Sequence, residues 1–404
     1  MATIRPFAAL RPRPELAEQV CELPYDVMSS DEARQMAEGN PLSFLHVSKP
    51  EIDLPPGTDV YSDAVYAKGA ENLRRLIDDG VLFQDEKPCY YLYRQVMGGH
   101  SQVGLVAVSS CEEYQRNIIK KHEFTRPQKE DDRVRHIEAL NSQTGPVFLT
   151  YRSVPALDEF VARKTAAEPE VDFTAPDQVR HTAWVVSDPA DIEFITGQFA
   201  AIPNTYIADG HHRSAAAARV FESRQGAGNS PWFLTVIFPH DQMQILAYNR
   251  ALRHLNGHTP GQLLEKLSGV FDITTGGAPE PAAKHELGLY LDGQWRGLRF
   301  KPELTATDDP FESLDVSLLQ KHVLEPLFGI ADPRTSEDIA FIGGIRGTGE
   351  LERIVNSGDF ACAFSMFPTR IEDLMAIADR DGVMPPKSTW FEPKLRDAMF
   401  CHML

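Results

Sequence analysis

Residues 207–213, with the sequence IADGHHR, decide the fold of the chain around them. The apolar run Thr205-Tyr206-Ile207 leads into this stretch and predicts a β-strand. Residues 214–221, SAAAARVF, follow it and predict a helix, because alanine has the highest helix propensity. Asp209-Gly210 is then a strand-to-helix turn, in which glycine takes backbone angles that other residues resist.

This turn gathers polar groups at the start of a helix. Asp209, His211, His212 and Arg213 supply one carboxylate, two imidazoles and one guanidinium around Gly210. A helix start carries unpaired N–H groups and a partial positive charge, so it is suited to binding an anion. The alternative is a capped helix with solvated polar residues. Core packing gives no reason to collect these groups here, so the stretch predicts a ligand site.

The size of the chain predicts two domains. It has 404 residues, of which 42% are hydrophobic and 24% charged, enough to bury a full core. We expect a core region at 1–255 that carries the main site. The pattern of predicted helices and strands changes near residue 257. We therefore expect a smaller α+β region at 256–404 whose C-terminal tail returns to the site.

Charge and cysteine content restrict the partners. The net charge of −18 and the lack of long basic runs argue against nucleic-acid binding. The N-terminus has no apolar signal core, and no window reaches the ~18 apolar residues of a membrane helix. We therefore expect a reduced, cytoplasmic protein that acts on a small molecule. The sequence leaves open whether it is a homodimer. Its scattered cysteines lack zinc-ligand spacing: Cys21, Cys89, Cys111, Cys362 and Cys401.

Periodicity and turn residues predict an α+β fold with a mixed-sheet core. Helices are predicted at 31–38, 61–80, 131–140, 191–200, 260–269, 316–327 and 371–378. Strands are predicted at 43–47, 89–97, 103–110, 145–151, 182–186, 232–238, 245–250, 287–291, 295–300 and 361–367. The strand at 245–250 is expected to pair with the strand at 232–238.

Two further segments before residue 140 carry candidate site residues. Tyr25 and Asp26 lie in a turn led by a proline, for which turn chemistry is the alternative explanation. His122 and Glu123 precede a predicted helix that carries Arg133. On that helix Asp132 and His136 are four residues apart and share a face, although a solvated, salt-bridged helix is the simpler interpretation.

Residues 384–394, MPPKSTWFEPK, form a third polar group. Three prolines prevent a regular element over most of it. Lys387, Ser388, Thr389 and Lys394 offer two cations and two hydroxyls, which suit a phosphate or carboxylate. The alternative is an exposed basic loop, but the aromatic pair at 390–391 would anchor it to the body of the protein.

Six ordered motifs resemble, over essentially the whole chain, the bacterial and archaeal domain-of-unknown-function family numbered ten-fifteen. The matching stretches are Pro24 to Val27, Asn40-Pro41 with Ser43 to Val47, His122 to Arg133, Gly145-Pro146-Val147, Ala208 to Arg213, and Met384 to Lys394. The chain departs from the family at Asn249, where many members have a histidine before Arg250, and at Trp390, where tyrosine is usual.

The resemblance implies a ParB-like, nucleotide-binding strand-turn-helix at the Asp-Gly-His-His-Arg motif. Similar motifs occur in kinases that phosphorylate free serine, and the family's genes often lie beside serine-biosynthesis genes. It therefore implies a small-molecule kinase that uses ATP or ADP with Mg²⁺, with free L-serine as the first acceptor to consider.

We assign roles on that basis. The phosphate-binding residues are Gly210, His211, His212, Arg213, Lys387, Ser388, Thr389 and Lys394, and the Mg²⁺ ligand is Asp209. Asp26 or Glu123 accepts the proton of the substrate hydroxyl, and the substrate-binding residues are Tyr25, His122, Arg133 and Arg250. Two alternatives stay open: a metal-dependent hydrolase with ligands among these histidines and acids, and a non-enzymatic nucleotide sensor.

Overall fold

The computed structural model describes all 404 residues. Fifteen α-helices are present, several of them a single turn long. In chain order they are α1 Ala17–Val20, α2 Ser30–Met36, α3 Leu45–Ser48, α4 Asp63–Asp78, α5 Cys111–Gln115, α6 Pro127–Leu140, α7 Pro155–Lys164, α8 Pro189–Ala200, α9 His211–Ser223, α10 Pro260–Leu267, α11 Pro302–Thr305, α12 Asp315–Leu319, α13 Glu325–Phe328, α14 Gly347–Asn356 and α15 Ile371–Asp379.

The strands number twenty-one. In chain order they are β1 Ile4–Arg5, β2 Leu10–Pro12, β3 Leu82–Gln84, β4 Tyr90–Met97, β5 His100–Ser110, β6 Ile119–Lys120, β7 Ser142–Gln143, β8 Val147–Tyr151, β9 Val171–Thr174, β10 Arg180–Val186, β11 Thr205–Asp209, β12 Trp232–Pro239, β13 Gln244–Leu246, β14 Tyr248–Leu252, β15 Phe271–Thr275, β16 Glu286–Leu291, β17 Gln294–Phe300, β18 Ile339–Gly343, β19 Cys362–Met366, β20 Trp390–Glu392 and β21 His402–Met403.

The chain forms two compact units. The first unit is Met1–Met243 together with Pro393–Leu404, and the second is Gln244–Glu392. The sequence predicts two domains, at 1–255 and 256–404, and that division stays a prediction. None of the helices has the length and apolar composition that crossing a membrane requires.

The first unit is built on a nine-stranded mixed sheet. Its order is β6-β11-β8-β12-β5-β4-β10-β9, with β1 paired to β5. The pairs β6–β11 and β8–β12 are parallel, whereas the other neighbours are antiparallel. Helices α7 and α8 pack on this sheet through Phe160 and Phe199, both fully buried. The mixed α+β fold predicted from the sequence is therefore confirmed.

The last twelve residues belong to the first unit and are fixed to it by backbone hydrogen bonds. The Cys401 N–H donates to the Leu10 carbonyl at 2.8 Å, and the Asp397 N–H donates to the Glu22 carbonyl at 2.9 Å. Strand β21 then pairs with β7. The side chain of Gln95 donates to the Lys394 carbonyl at 2.8 Å. The backbone of this segment is thus held along its whole length.

The second unit contains a six-stranded antiparallel sheet in the order β15-β17-β16-β19-β14-β18. A hairpin through Asp292-Gly293 joins β16 to β17. A separate two-stranded sheet pairs β13 with β20. The five cysteines of the chain all have free, buried thiols, and burial raises the pKa of Cys111 and of Cys362 to about 12.

Three local predictions were wrong. The predicted strand at 43–47 is instead the short helix α3, because the Ser43 Oγ accepts the Leu45 N–H and Phe44 is buried in a cluster with α4. The segment at 245–250 does not pair with β12, since both edges of β12 are occupied by β5 and β8. Helix α6 begins four residues earlier than predicted, at Pro127, because proline is well tolerated at the first helical position.

Gly104 of β5 lies where the sheet leaves no room for a side chain. A Cβ atom at this position would lie 2.6 Å from Val236 Cγ1 and 2.8 Å from Phe238 Cζ. We therefore expect Gly104→Ala to lower the free energy of unfolding by about 1–3 kcal/mol, the usual effect of overpacking. Urea unfolding measures this, with Gly99→Ala as the control because no atom lies within 4 Å of its added Cβ. Equal stabilities of the two variants would contradict the prediction.

Candidate functional site

The turn predicted at Gly210 has the expected geometry. Strand β11 ends at Asp209 and α9 begins at His211, with Gly210 at φ 95° and ψ 29° between them. This is a left-handed conformation that favours glycine. A Cβ atom at Gly210 would lie 3.0 Å from Arg213 Nε, so the missing side chain also lets Arg213 fold back over the turn.

Asp209 is the centre of a charged cluster in the first unit. Its Oδ2 lies 3.3 Å from Lys394 Nζ and 3.6 Å from Arg213 Nη2, and its Oδ1 accepts the Gly210 N–H at 3.0 Å. Burial would raise the pKa of Asp209, but the charges of Lys394 and Arg213 outweigh it and hold that pKa well below its usual range. The side chain is 29% exposed, so the ionised carboxylate is paired yet still reachable from solvent.

Arg213 is buried and incompletely bonded. Its Nη1 donates to the Pro146 carbonyl, whereas its Nε is buried and has no hydrogen-bond partner. Burial acts to lower the pKa of Arg213, but the carboxylates of Asp26 and Asp209 raise it overall, so the guanidinium is charged. A charged, buried donor without an acceptor is unfavourable. The Nε–H of Arg213 is therefore available to a further hydrogen-bond acceptor, such as an atom of a bound ligand.

The two imidazoles of the motif hold the loop before α6. The His122 N–H donates to His211 Nε2 at 3.5 Å, and the Arg126 N–H donates to His212 Nε2 at 3.1 Å. Both rings therefore accept at Nε2 and carry their proton at Nδ1. Burial lowers the pKa of both rings, which favours their neutral form. The hydrogen bonds tie the two rings to residues 122–126, and their predicted phosphate-binding role stays a prediction.

His122 also presents an unused acceptor. Its ring packs edge-on against His211 with the centroids 4.5 Å apart, and its Nδ1 is buried with no hydrogen-bond partner. Burial lowers the pKa of His122 to about 4. Glu123 next to it is exposed, and its Oε2 lies 3.8 Å from His211 Nδ1. A neutral ring with a buried lone pair can accept a hydrogen bond from a hydroxyl or amine.

Tyr25 and Arg133 also belong to this neighbourhood. Arg133 lies over the Tyr25 ring, 3.7 Å from its centroid, and donates twice to Asp132 Oδ2. Both Asp132 and His136 are buried, so the interpretation of a solvated helix was wrong for this face of α6. Asp26 follows Tyr25 in a single 3₁₀ turn and is exposed. Its charge acts on both Arg213 and His212.

Asp397 is a candidate site residue that the sequence did not indicate. Its residue is 3% exposed, and burial raises its pKa to about 7 against the opposing charges of Arg213 and Arg133. Gly145 makes room for it, since a Cβ atom there would lie 2.6 Å from Asp397 Oδ1. The only signal was its place three residues after Lys394, in a segment where charged residues alternate with apolar ones.

Four of the predicted site residues lie in the second unit. Arg250 donates to the Lys387 carbonyl at 3.1 Å, Ser388 Oγ donates to the Pro385 carbonyl at 2.6 Å, and Thr389 is half-buried. Their participation in the same site as Asp209 stays a prediction. The residues that the structure does bring together are in the first unit: Tyr25, Asp26, His122, Glu123, Arg133, Asp209, Gly210, His211, His212, Arg213 and Lys394.

The predicted Mg²⁺ ligand does not fit a metal site built by the protein. Asp209 already faces two cations and a backbone N–H. No group of three or more histidine, cysteine, aspartate or glutamate side chains is arranged to hold a metal ion. The hydrolase alternative stays a prediction, as does the role of Asp209 as a Mg²⁺ ligand, which this geometry does not favour.

Five buried histidines predict that acid destabilises the protein: His122, His136, His181, His211 and His402. Burial lowers their pKa values from the ordinary 6.5, to about 4 for His122 and about 3 for His136. Their stabilising contribution is complete above pH 6.5 and is lost below it, because only the unfolded chain then binds the protons. Each histidine should remove up to about 1.4 kcal/mol per pH unit, measured by urea unfolding at several pH values.

The variant for this prediction is His136→Gln, compared with the natural protein at each pH. It should make the fall in stability below about pH 6.5 less steep by one histidine's contribution. An unchanged pH dependence in His136→Gln would contradict the assignment.

Comparison with known proteins places the chain in a family. A family model described as a protein of unknown function, DUF1015, matches residues 4–317. No curated protein matches the chain. Among solved structures, a free serine kinase in complex with AMP is 14% identical, covers 71% of this chain and 86% of its own, and has a TM-score of 0.35. SbnI with a C-terminal truncation from Staphylococcus aureus is 11% identical, with coverages of 72% and 85% and a TM-score of 0.39.

A conserved hypothetical protein from Pyrococcus furiosus is similar at 12% identity, with coverages of 73% and 93% and a TM-score of 0.34. At these scores the three likenesses carry no argument about function. The family model matches most of the chain, so the protein belongs to the DUF1015 family of proteins of unknown function.

Proposed function

We propose that the protein is a small-molecule kinase that transfers a phosphoryl group from ATP or ADP to a hydroxyl compound, with free L-serine as the first acceptor to test. One observation carries the proposal: the charged guanidinium of Arg213 is buried at the start of α9 with its Nε unpartnered, beside Lys394 and Asp209. The family resemblance supports the same activity.

The phosphates of the nucleotide bind at the start of α9 in this proposal. The unpaired N–H groups of a thirteen-residue helix favour an anion there, and Arg213 and Lys394 add two positive charges. Asp209 holds both cations in place before the nucleotide binds. Phosphoryl transfer depends mainly on neutralising phosphate charge and on orienting the attacking oxygen, which is what such a preformed pair of cations supplies.

The hydroxyl of the acceptor must lose a proton as its oxygen bonds to phosphorus. We propose Asp397 as the proton acceptor, because its pKa of about 7 suits proton exchange near neutral pH. The bond between the terminal phosphorus and its bridging oxygen breaks in the same step, and the shortened nucleotide leaves with that oxygen. Asp26 and Glu123, the candidates predicted from the sequence, are exposed carboxylates and stay alternatives for this role.

The loop at 122–126 orders the acceptor side of the proposed site. Backbone hydrogen bonds to His211 and His212 tie this loop to α9. The buried Nδ1 of His122 accepts a hydrogen bond from the substrate's hydroxyl or amine in the proposed complex. Two neutral histidines thus position residues of the site instead of contacting the phosphates.

Phosphorus NMR tests the proposal directly. The purified protein is incubated with ATP or ADP, Mg²⁺ and a panel of hydroxyl compounds that begins with L-serine, and a new phosphomonoester signal is expected together with loss of the terminal nucleotide phosphate. Nucleotide binding by calorimetry without any product over hours would instead select the sensor alternative. Absence of both binding and turnover would refute the proposal.

A further inference from the structure

Arg250 of the second unit is a buried cation without an anion. It lies on β14, between β18 and β19, and its residue is 3% exposed. Its Nη1 donates to the Tyr248 carbonyl, its Nη2 donates to the Lys387 carbonyl at 3.1 Å, and the guanidinium lies 5.3 Å from the centroid of the Phe341 ring. Its partners are therefore two neutral carbonyl groups and one aromatic ring.

The missing counter-charge distinguishes Arg250 from the other buried arginines. Arg11 and Arg396 each form an ion pair with an aspartate, and Arg133 pairs with Asp132. Buried charges in proteins are normally paired, because removing a charge from water is unfavourable. Burial lowers the pKa of Arg250 to about 10, as expected for a guanidinium that has no negatively charged partner. An anion beside this guanidinium would supply the missing negative charge.

A second cation lies on the segment that Arg250 holds. Lys387 is exposed, and its Nζ lies 5.4 Å from the centroid of the Tyr248 ring. Its φ of 56° is left-handed, a strained conformation for a lysine. The surrounding loop is fixed, since Thr369 Oγ1 donates to the Ser388 carbonyl at 2.8 Å. Backbone strain of this kind occurs preferentially at ligand sites.

We propose that the second unit binds a small oxyanion, the phosphate or carboxylate group of a metabolite, with the guanidinium of Arg250 and the ammonium of Lys387. A guanidinium suits such groups because its N–H donors match the spacing of two oxyanion oxygens. This site requires only residues of the second unit and does not depend on phosphoryl transfer at Asp209. The competing explanation is that Arg250 only anchors the loop at 385–388, in which case the charge of Lys387 has no effect on binding.

Calorimetric titration of the full chain with inorganic phosphate and with acetate, at constant ionic strength, tests the site. Lys387→Gln removes an exposed charge and should leave the fold intact. It should weaken the binding of the preferred anion by roughly tenfold, the effect of one charge-assisted hydrogen bond. Arg250→Gln should weaken it at least as much. Preference for phosphate or for acetate identifies which kind of group the site accepts.

Two control variants make the result specific. Arg253→Gln removes an exposed guanidinium with similar contacts, a 2.9 Å hydrogen bond to the Glu337 carbonyl and a position 4.9 Å from the Phe360 ring. Lys394→Gln alters the cluster at Asp209. Both should retain binding at this site. If neither anion binds the natural protein, if Lys387→Gln binds as well as the natural protein, or if only Lys394→Gln loses binding, the proposal is overturned. Should Arg250→Gln fail to fold, Lys387→Gln decides the question.

Discussion

Replacing Lys394 with methionine is expected to weaken nucleotide binding by at least about tenfold, the effect of losing one charge-assisted contact of about 1.5–3 kcal/mol. Lys394 Nζ lies 3.3 Å from Asp209 Oδ2, just before the start of α9. The C-terminal segment that carries Lys394 belongs to the first unit. Loss of Lys394 leaves Asp209 with Arg213 alone, so the negative charge of the carboxylate opposes the phosphates. Calorimetric titration with ATP and with ADP measures the change.

Lys164→Met is the matched control for Lys394→Met. Lys164 also forms an ion pair with an aspartate of the first unit, Asp191. This control should bind nucleotide as the natural protein does, and both variants should keep its far-ultraviolet circular dichroism. Lys394→Met combined with Asp209→Asn should recover part of the affinity, because the unopposed carboxylate is removed as well. Equal affinities of Lys394→Met and Lys164→Met would exclude the start of α9 as the phosphate site.

Asp397→Asn is expected to lower turnover by about 10²–10⁴-fold while changing nucleotide affinity only slightly, since general-base catalysis typically contributes that much. The asparagine has nearly the same shape but cannot accept the hydroxyl proton. In the natural protein the rate should rise with pH through about 7, as the carboxyl group ionises, and the variant should lack this rise. Initial rates of product formation measured across this pH range test both statements.

Asp26→Asn and Glu123→Gln are the comparison variants for Asp397→Asn. Each removes an exposed carboxylate that the sequence predicts as the proton acceptor. If Asp397 is the base, both variants should keep a rise of the rate with pH, and in Asp26→Asn this rise should move to lower pH, because the charge of Asp26 helps to raise the pKa of Asp397. A variant at position 26 or 123 that loses this dependence, with Asp397→Asn still active, would move the role to that residue.

The central turn was predictable because its causes are local. Glycine at position 210, alanines after it and apolar residues before it determine the left-handed turn and the helix within one stretch. Helix α2 was predictable for the same reason, since Ser29 and Glu32 form a reciprocal cap at its start. Where residues close together in the sequence supply the decisive hydrogen bonds, the sequence is sufficient to predict the local structure.

The partners of the turn were not predictable in the same way. Nothing in the sequence indicated that backbone N–H groups 89 and 86 residues away would bond to the Nε2 atoms of His211 and His212. The raised pKa of Asp397 results from its burial against the opposing charges of Arg213 and Arg133, and this burial involves residues far from it in the sequence, such as Gly145. The error at 43–47 has the same origin, because hydrogen bonds from Phe44 to the Val20 carbonyl and from Asn72 to the His46 carbonyl favour the helix.

The return of residues 393–404 to the first unit has a consequence for biosynthesis. During translation Asp209 leaves the ribosome long before Lys394, since the whole of the second unit is made in between. At about 5–20 residues per second the delay is on the order of 10 s. A nascent chain in this interval lacks the lysine that neutralises Asp209, as well as Asp397. The proposed site is therefore assembled only when synthesis of the second unit is complete, so that a stalled, unfinished chain would be inactive.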